Sequence, residues 1–156
     1  MVQAELVGLS SRSAHVVAEQ SDHETPLKQP RLSHYLNGPA FGGLVGTVRG
    51  FGTFLQDQLR GRSVLFNDTT QQLFFAQQQT TRGVPVAVTL GWHIGDLDGT
   101  RFFYKEGGGG GFHCMMRVYP KDGIGTVVMT NATGFDVRRL LDSIDASFLR
   151  SGQPRP

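Results

Sequence analysis

The chain has 156 residues, of which 38% are hydrophobic, 18% are charged and 21 are glycine, and its formal net charge is +2. This length fits one domain that buries on the order of 70% of its extended-chain surface. The small net charge, with no Lys/Arg run interleaved with aromatic residues, argues against a nucleic-acid partner. No apolar run reaches the roughly 20 residues of a membrane span, and the single cysteine excludes an intrachain disulfide.

Residues 1–38 are predicted to form an irregular N-terminal segment. They show no sustained helical or strand period, and we expect at most one short helix, near Ala14–Glu19. The N-terminus lacks the basic-then-apolar pattern of a secretory signal. The histidines of this segment are too irregularly spaced to ligate a metal, so we expect solvated side chains and no metal site for His15, His23 and His34.

Two helices are predicted to follow. Apolar residues recur at three- and four-residue spacing from Thr47, a good N-cap, to Arg60, and Gly61 then stops the helix. A second helix is predicted to start at Asp68, because Gln71 lies three residues later in capping-box position.

From residue 86 the hydrophobic period changes to two, which predicts strands. Clusters of turn-forming residues, including Gly95–Gly99, separate these strands, and short connections of this kind imply an antiparallel meander. We therefore expect an antiparallel sheet of three to five strands that includes Val86–Ile94, Arg101–Lys105, Phe112–Tyr119 and Ile124–Thr130.

A last helix is predicted over Phe135–Leu149, with its apolar stripe on the sheet. Its charged residues are expected to face outward, and these are Arg138, Arg139, Asp142 and Asp145. The predicted fold class is thus α+β. We expect residues 39–150 to form the folded part of a domain and residues 151–156 to form a tail.

The segment Tyr104–Phe112 contains five consecutive glycines after a lysine and a glutamate, and three interpretations compete for it. A phosphate-binding loop would need the glycines to lead into a helix, whereas a strand pattern follows them here. A glycine-rich hairpin connection is the simplest structural interpretation. The third is a strand edge that offers backbone N–H groups to a substrate carbonyl, with Lys105 beside it.

The spacing of Lys105, Gly107 and the later glycines before Phe112 resembles the third motif of serine β-lactamases and penicillin-binding proteins, most of all their class C and esterase-type branch. The resemblance extends over about Gly38 to Phe148. Further stretches match in the same order, namely Pro39–Val48, Leu90–Trp92, Tyr119–Pro120, Gly123–Gly125 and Val128–Asn131. It implies the C-terminal portion of a β-lactamase or DD-peptidase-like fold.

The resemblance also implies a serine hydrolase that acts on β-lactam, D-alanyl peptide or ester substrates through an acyl-enzyme. It assigns catalytic roles to Lys105, as a source of positive potential, and to Gly108, as an oxyanion donor. Glu106, Gly107 and Gly109 are expected to bind substrate. Glu106 departs from the Thr or Ser usual at its position, which favours an esterase-like or peptidase-like relative over a penicillin-type carboxylate ligand.

The nucleophile of that family is not found in this sequence. None of the serines has a lysine three residues later, so we expect this chain alone to be inactive. Tyr35-Leu36-Asn37 has the letters of the family's second motif but lies too close to the third. Cys114 is not a substitute nucleophile, because its neighbour His113 points to the opposite face of a strand.

A different class of function is a non-catalytic module that docks an extended peptide along the glycine-rich strand edge. In either case the expected partner is a small molecule or a peptide. We expect no cofactor, no nucleic acid and no membrane span, but self-association through an exposed sheet edge. The family resemblance suggests an extracytoplasmic protein, and the sequence itself predicts no cellular location.

Overall fold

The computed structural model describes residues 2–8, 14–18, 46–109 and 111–151. In these ranges the chain forms three helices and a six-stranded antiparallel sheet, which confirms the α+β class. In chain order the elements are β1 Val2–Gly8, β2 Ala14–Ala18, α1 Val48–Leu59, α2 Asp68–Phe75, β3 His93–Leu97, β4 Thr100–Gly109, β5 Phe112–Tyr119, β6 Ile124–Thr130 and α3 Val137–Ser151.

The strands lie in the order β2-β1-β6-β5-β4-β3. Strands β3 to β6 form the predicted meander, and β1 with β2 extends the sheet along β6, with Val2 opposite Thr130. The helix expected near Ala14–Glu19 is wrong, since Ala14–Ala18 is a strand paired with β1. Pairing with a distant sheet edge decides this conformation, and local period does not reveal it. The remainder of the first 38 residues lies outside the described part of the chain.

The strand expected over Val86–Ile94 is also largely wrong, because β3 begins only at His93. The Thr89 hydroxyl accepts hydrogen bonds from the N–H groups of Gly91 at 3.2 Å and Trp92 at 2.9 Å, which turns the chain. That turn buries the indole of Trp92 and leaves Leu90 67% exposed. The following turn is shorter than predicted, since only Asp98 and Gly99 separate β3 from β4, both with positive φ.

The two central helices begin with side-chain caps. The Thr47 hydroxyl accepts a hydrogen bond from the Gly50 N–H at 3.1 Å, as predicted for α1. In α2 the cap is Asn67, one residue before the predicted start, and its side chain accepts from the Thr70 N–H at 2.8 Å. Asp68 is therefore the first helical residue and supplies negative charge to the first turn.

Each face of the sheet carries its own apolar core. The face toward α1 buries Val48, Leu55, Leu59, Trp92, Val118 and Val127. The face toward α3 buries Phe102, Met115, Tyr119, Val128, Val137 and Leu141. The C-terminal helix packs on one face, as predicted, whereas α1 lies on the opposite face.

A buried ionic group joins α3 to its face of the sheet. Arg117 on β5 donates to Asp142 at 2.7 Å and to Asp145 at 3.2 Å, and the Tyr119 hydroxyl donates to Asp145 at 2.7 Å. Asp145 was expected to face outward but is fully buried, because the guanidinium compensates its charge inside the interface. Burial raises the pKa of Tyr119, which therefore remains a hydrogen-bond donor.

Candidate active site along the glycine-rich strand

Gly107 to Gly109 continue strand β4. Lys105 to Gly109 pair with β5 on one side, from Lys105 opposite Met116 to Gly109 opposite Phe112. On the other side β3 reaches only to His93, opposite Tyr104. Within the described ranges no strand pairs with this second side, which we call the open edge. Alternate N–H groups of an antiparallel strand point away from its partner, so some N–H groups of this segment face the open edge.

The geometry favours the strand-edge interpretation over the other two. A phosphate loop requires a helix after the glycines, and β5 follows them instead. Gly107 to Gly109 belong to β4, so these three glycines are not part of a hairpin connection.

Thr133 holds the end of this glycine-rich hairpin. Its hydroxyl donates to the Gly109 carbonyl at 3.1 Å and accepts from the Gly111 N–H at 2.8 Å. Gly111 has φ of 94°, a conformation that side chains disfavour. A Cβ on Gly109 would lie 2.6 Å from the ring of Phe112. The hairpin therefore depends on glycine at these two positions and on one threonine hydroxyl.

Lys105 lies on the α1 face of β4, together with its pairing partner Met116. The lysine is exposed. Cys114 lies on the same face, and its thiol donates to the Gly107 carbonyl at 3.4 Å. Burial raises the pKa of Cys114, so the thiol stays protonated, and His113 points to the other face. The structure thus gives Cys114 no neighbouring base on its own strand.

Glu106 points to the α3 face, away from Lys105. Its carboxylate accepts hydrogen bonds from Arg138 of α3, through Nε at 3.1 Å and through Nη2, and lies 2.9 Å from Nε2 of His113. We call Glu106, Arg138 and His113 the Glu106 cluster. Hydrogen bonding from Arg138 lowers the pKa of Glu106 despite partial burial, and the same bond raises the pKa of Arg138. Glu106 is therefore a carboxylate whose charge is compensated on its own face.

The sequence did not reveal Arg138 and His113 as neighbours of the glycine-rich strand. His113 reaches Glu106 because the β4–β5 register places it opposite Gly108. Arg138 reaches it because α3 packs across this face. With these residues, His93, Tyr104, Gly107 and Gly108 line an open cavity of about 400 Å³. The strand register was the one sequence signal that could have placed His113 here.

A larger cavity of about 1190 Å³ lies at the opposite end of the sheet. Residues of α1, α2 and the β3–β4 and β5–β6 turns line it, and it contains none of the predicted site residues. It does not include the glycine-rich edge that the sequence predicts as the site.

The described residues contain neither a metal-binding cluster nor a membrane-spanning helix. In residues 2–8, 14–18, 46–109 and 111–151, no group of three or more His, Cys, Asp or Glu side chains could hold a metal ion. No helix in the same ranges is long and apolar enough to cross a bilayer.

Comparison with known proteins agrees with this architecture. A penicillin-binding protein homologue from Pyrococcus abyssi, described as octameric, matches with a TM-score of 0.58 and 14% identity over 67% of this chain and 24% of that one. A β-lactamase/D-alanine carboxypeptidase from Yersinia pestis matches with a TM-score of 0.49 and 17% identity over 69% of this chain and 34% of that one. The first likeness shows a penicillin-binding-protein-like fold, matched over part of the relative. This chain spans about a quarter to a third of these relatives.

A sequence comparison with curated proteins gives no match. The family model named Beta-lactamase matches residues 8–147, which is most of the sequence and includes the whole glycine-rich strand. The chain therefore belongs to the Beta-lactamase family.

Proposed function

We propose that this chain supplies one wall of a serine hydrolase active site that acts on β-lactam, D-alanyl peptide or ester substrates. The observation that carries the proposal is the open edge of β4 from Lys105 to Gly109 within a Beta-lactamase-family domain. A strand edge with unpaired N–H groups can hold an extended acyl substrate and polarise its carbonyl.

The proposed division of roles follows the strand. The Gly108 N–H is one donor to the oxyanion that forms when a serine attacks the carbonyl. Gly107 and Gly109 have no side chain, so the substrate can approach their backbone closely. Glu106 contributes its backbone to the substrate-binding edge. Lys105 supplies positive potential beside the reacting carbonyl.

The placement of Glu106 bears on the substrate. Its carboxylate lies on the face opposite Lys105 and is compensated by the charge of Arg138, so it does not cancel the lysine's charge. An anionic substrate group is therefore compatible with this edge. The Glu at a position usually held by Thr or Ser removes a hydroxyl donor but adds no net charge where the substrate would lie.

Catalysis would also need a Ser-x-x-Lys nucleophile, which this sequence does not contain. We expect the purified chain to hydrolyse no chromogenic cephalosporin and to leave every serine unlabelled by a fluorophosphonate probe. Turnover of the cephalosporin, or a labelled serine, would show that the predicted inactivity of the chain is wrong.

The positive test joins this chain to the missing part. Sequencing the coding DNA upstream of Met1 is expected to reveal an in-frame Ser-x-x-Lys, and the longer protein should form an acyl-enzyme. In that protein Lys105→Gln should lower kcat about 100-fold, as for loss of one electrostatic contact to the oxyanion. Lys121→Gln is the matched control, because Lys121 lies at the opposite end of the sheet. Equal losses in the two variants would contradict the proposal.

The second candidate is a non-catalytic module that adds an extended peptide to the same edge. The observation in its favour is again the open edge, combined with the absence of the nucleophile motif. A genuine translation start at Met1 with no upstream Ser-x-x-Lys would favour this module over the hydrolase.

A further inference from the structure

We propose that Glu106 is a positioning residue whose side chain, held by Arg138 and His113, fixes the direction of the glycine-rich edge of β4. This inference rests on the proposed function, because it gives the role of Gly108 its structural support. The Glu106 cluster joins β4 and β5 to α3 at the point where β3 has ended and the glycines begin.

The glycine-rich edge needs such support because it has few contacts of its own. Gly107 to Gly109 have no side chains to pack, and β5 pairs with them on one side only. Glu106 is the side chain that immediately precedes them, and Thr133 binds Gly109 at their other end. The carboxylate and the threonine hydroxyl thus hold the two ends of the segment.

The hydrogen bonds of the cluster are specific to a carboxylate. Arg138 donates to it from two nitrogens, and His113 faces it through Nε2. The other ring nitrogen of His113 lies 3.0 Å from the Phe135 carbonyl, so the ring contacts both Glu106 and the segment that precedes α3. Threonine, the residue usual in the related motif, has a single side-chain oxygen and no charge, so it could not replace the two carboxylate oxygens in these contacts.

The groups around the cluster come from each neighbouring element. Arg138 belongs to α3, His113 to β5, and His93 of β3 lines the same cavity. The guanidinium of Arg138 also lies 5.4 Å from the centre of the Tyr104 ring. These contacts place the guanidinium of Arg138 against β4, so this side chain joins α3 to the strand.

Amide hydrogen exchange measured by NMR on the full chain tests the proposal. In Glu106→Gln, the exchange of those Gly107–Gly109 amides that are hydrogen-bonded to β5, and of the His113 amide, should be about fivefold faster, because one charged acceptor is lost at a partly exposed site. Exchange in Phe102 and Phe103 of the same strand should be unchanged. Arg138→Gln should reproduce the effect, and Arg139→Gln, an exposed neighbour on α3, is the matched control.

The wild-type chain provides a second measurement that needs no variant. Arg138 holds the pKa of Glu106 below its usual value of 4.5. A lowered pKa in the folded state means that the stabilisation is complete above that usual value and is lost as pH falls through the lowered value. Protection of the Gly107–Gly109 amides that are hydrogen-bonded to β5 should therefore fall on acidification before protection at Phe102 and Phe103 does.

Unchanged exchange in Glu106→Gln, or an equal increase throughout the sheet, would overturn the proposal. If that variant does not fold, the pH measurement decides, and simultaneous loss of protection throughout β4 counts against it. These outcomes are independent of hydrolase activity. Failure of the acyl-enzyme test removes the proposed function and leaves the exchange result, whereas failure of the exchange test leaves the activity result.

Discussion

Gly95 shows how tightly individual residues are packed behind the candidate site. A Cβ at this position of β3 would overlap the ring of Phe102, which is buried in the core under α3. Because the ring cannot move into solvent, Gly95→Ala should lower the free energy of unfolding by about 1–3 kcal/mol. Urea denaturation followed by tryptophan fluorescence measures this change.

Gly61→Ala is the control for Gly95→Ala, because nothing lies within 4 Å of a Cβ at Gly61. Its unfolding free energy should stay within about 0.5 kcal/mol of wild type. Equal stability of the two variants would mean that Phe102 has room to adapt.

Arg117 is the charged residue on which the α3 interface depends. It is 2% exposed, contacts Asp142 and Asp145, and lies 4.6 Å from the centre of the Phe102 ring. Arg117→Met would leave Asp145 buried with the Tyr119 hydroxyl but no cation, which should destabilise the fold by about 3–5 kcal/mol. Thermal unfolding followed by circular dichroism measures the loss.

Two further variants separate the contribution of the buried Arg117–Asp145 pair from that of the half-exposed Arg117–Asp142 pair. Asp142→Asn should cost less than about 1 kcal/mol, because that carboxylate is half exposed. Adding Asp145→Asn to Arg117→Met should recover part of the loss, since the unpaired charge is removed. A double variant less stable than Arg117→Met would contradict this explanation.

At the scale of elements, α2 is the helix that depends most on its cap. It has eight residues, none of them fully buried, and Asn67 satisfies the Thr70 N–H. Asn67→Ala should cost about 1 kcal/mol of helix stability, seen as faster amide exchange at Thr70 and Gln71. Gln72→Ala, at an exposed position of the same helix, should leave those amides unchanged. Faster exchange in Gln72→Ala than in Asn67→Ala would show that packing and not capping stabilises α2.

The elements predicted well from sequence are those whose hydrophobic period and whose capping or turn residues indicate the same helix or strand. The apolar period and Thr47 gave α1, and alternation with turn residues gave β5 and β6 with their observed bounds. The Val86–Ile94 pattern failed because the Thr89 hydroxyl accepts a hydrogen bond from the Trp92 N–H, which turns the chain there. Ala14–Ala18 failed because its conformation depends on pairing with β1.

The candidate site also has features that the sequence predicted and features that it did not. The glycine run and Lys105 predicted a strand edge, and Lys105–Gly109 does form one. The sequence could not place the Glu106 carboxylate, because its partners depend on the β4–β5 register and on the docking of a helix 32 residues away. Backbone features of the site were therefore predictable, whereas its side-chain contacts required the packed fold.

At the scale of the whole molecule, the open edge and its surroundings predict self-association. Unpaired N–H and C=O groups of β4 lie beside Phe112, which is 50% exposed at the start of β5. An exposed strand edge next to an apolar side chain is a template for pairing with a second chain. We expect sedimentation velocity to show concentration-dependent association of the purified chain. Unfolding should then also depend on concentration.

Phe112→Lys tests whether this association uses the open edge. A lysine there places charge beside the edge, as natural edge strands do, and should shift the chain toward monomer. Leu73→Lys is the control, because Leu73 is 56% exposed but belongs to α2, away from the glycine-rich strand. Equal effects of the two variants would assign association to general apolar exposure. A wild-type chain that stays monomeric and unfolds in one sharp two-state transition would show that the open edge does not bind a second copy of the chain.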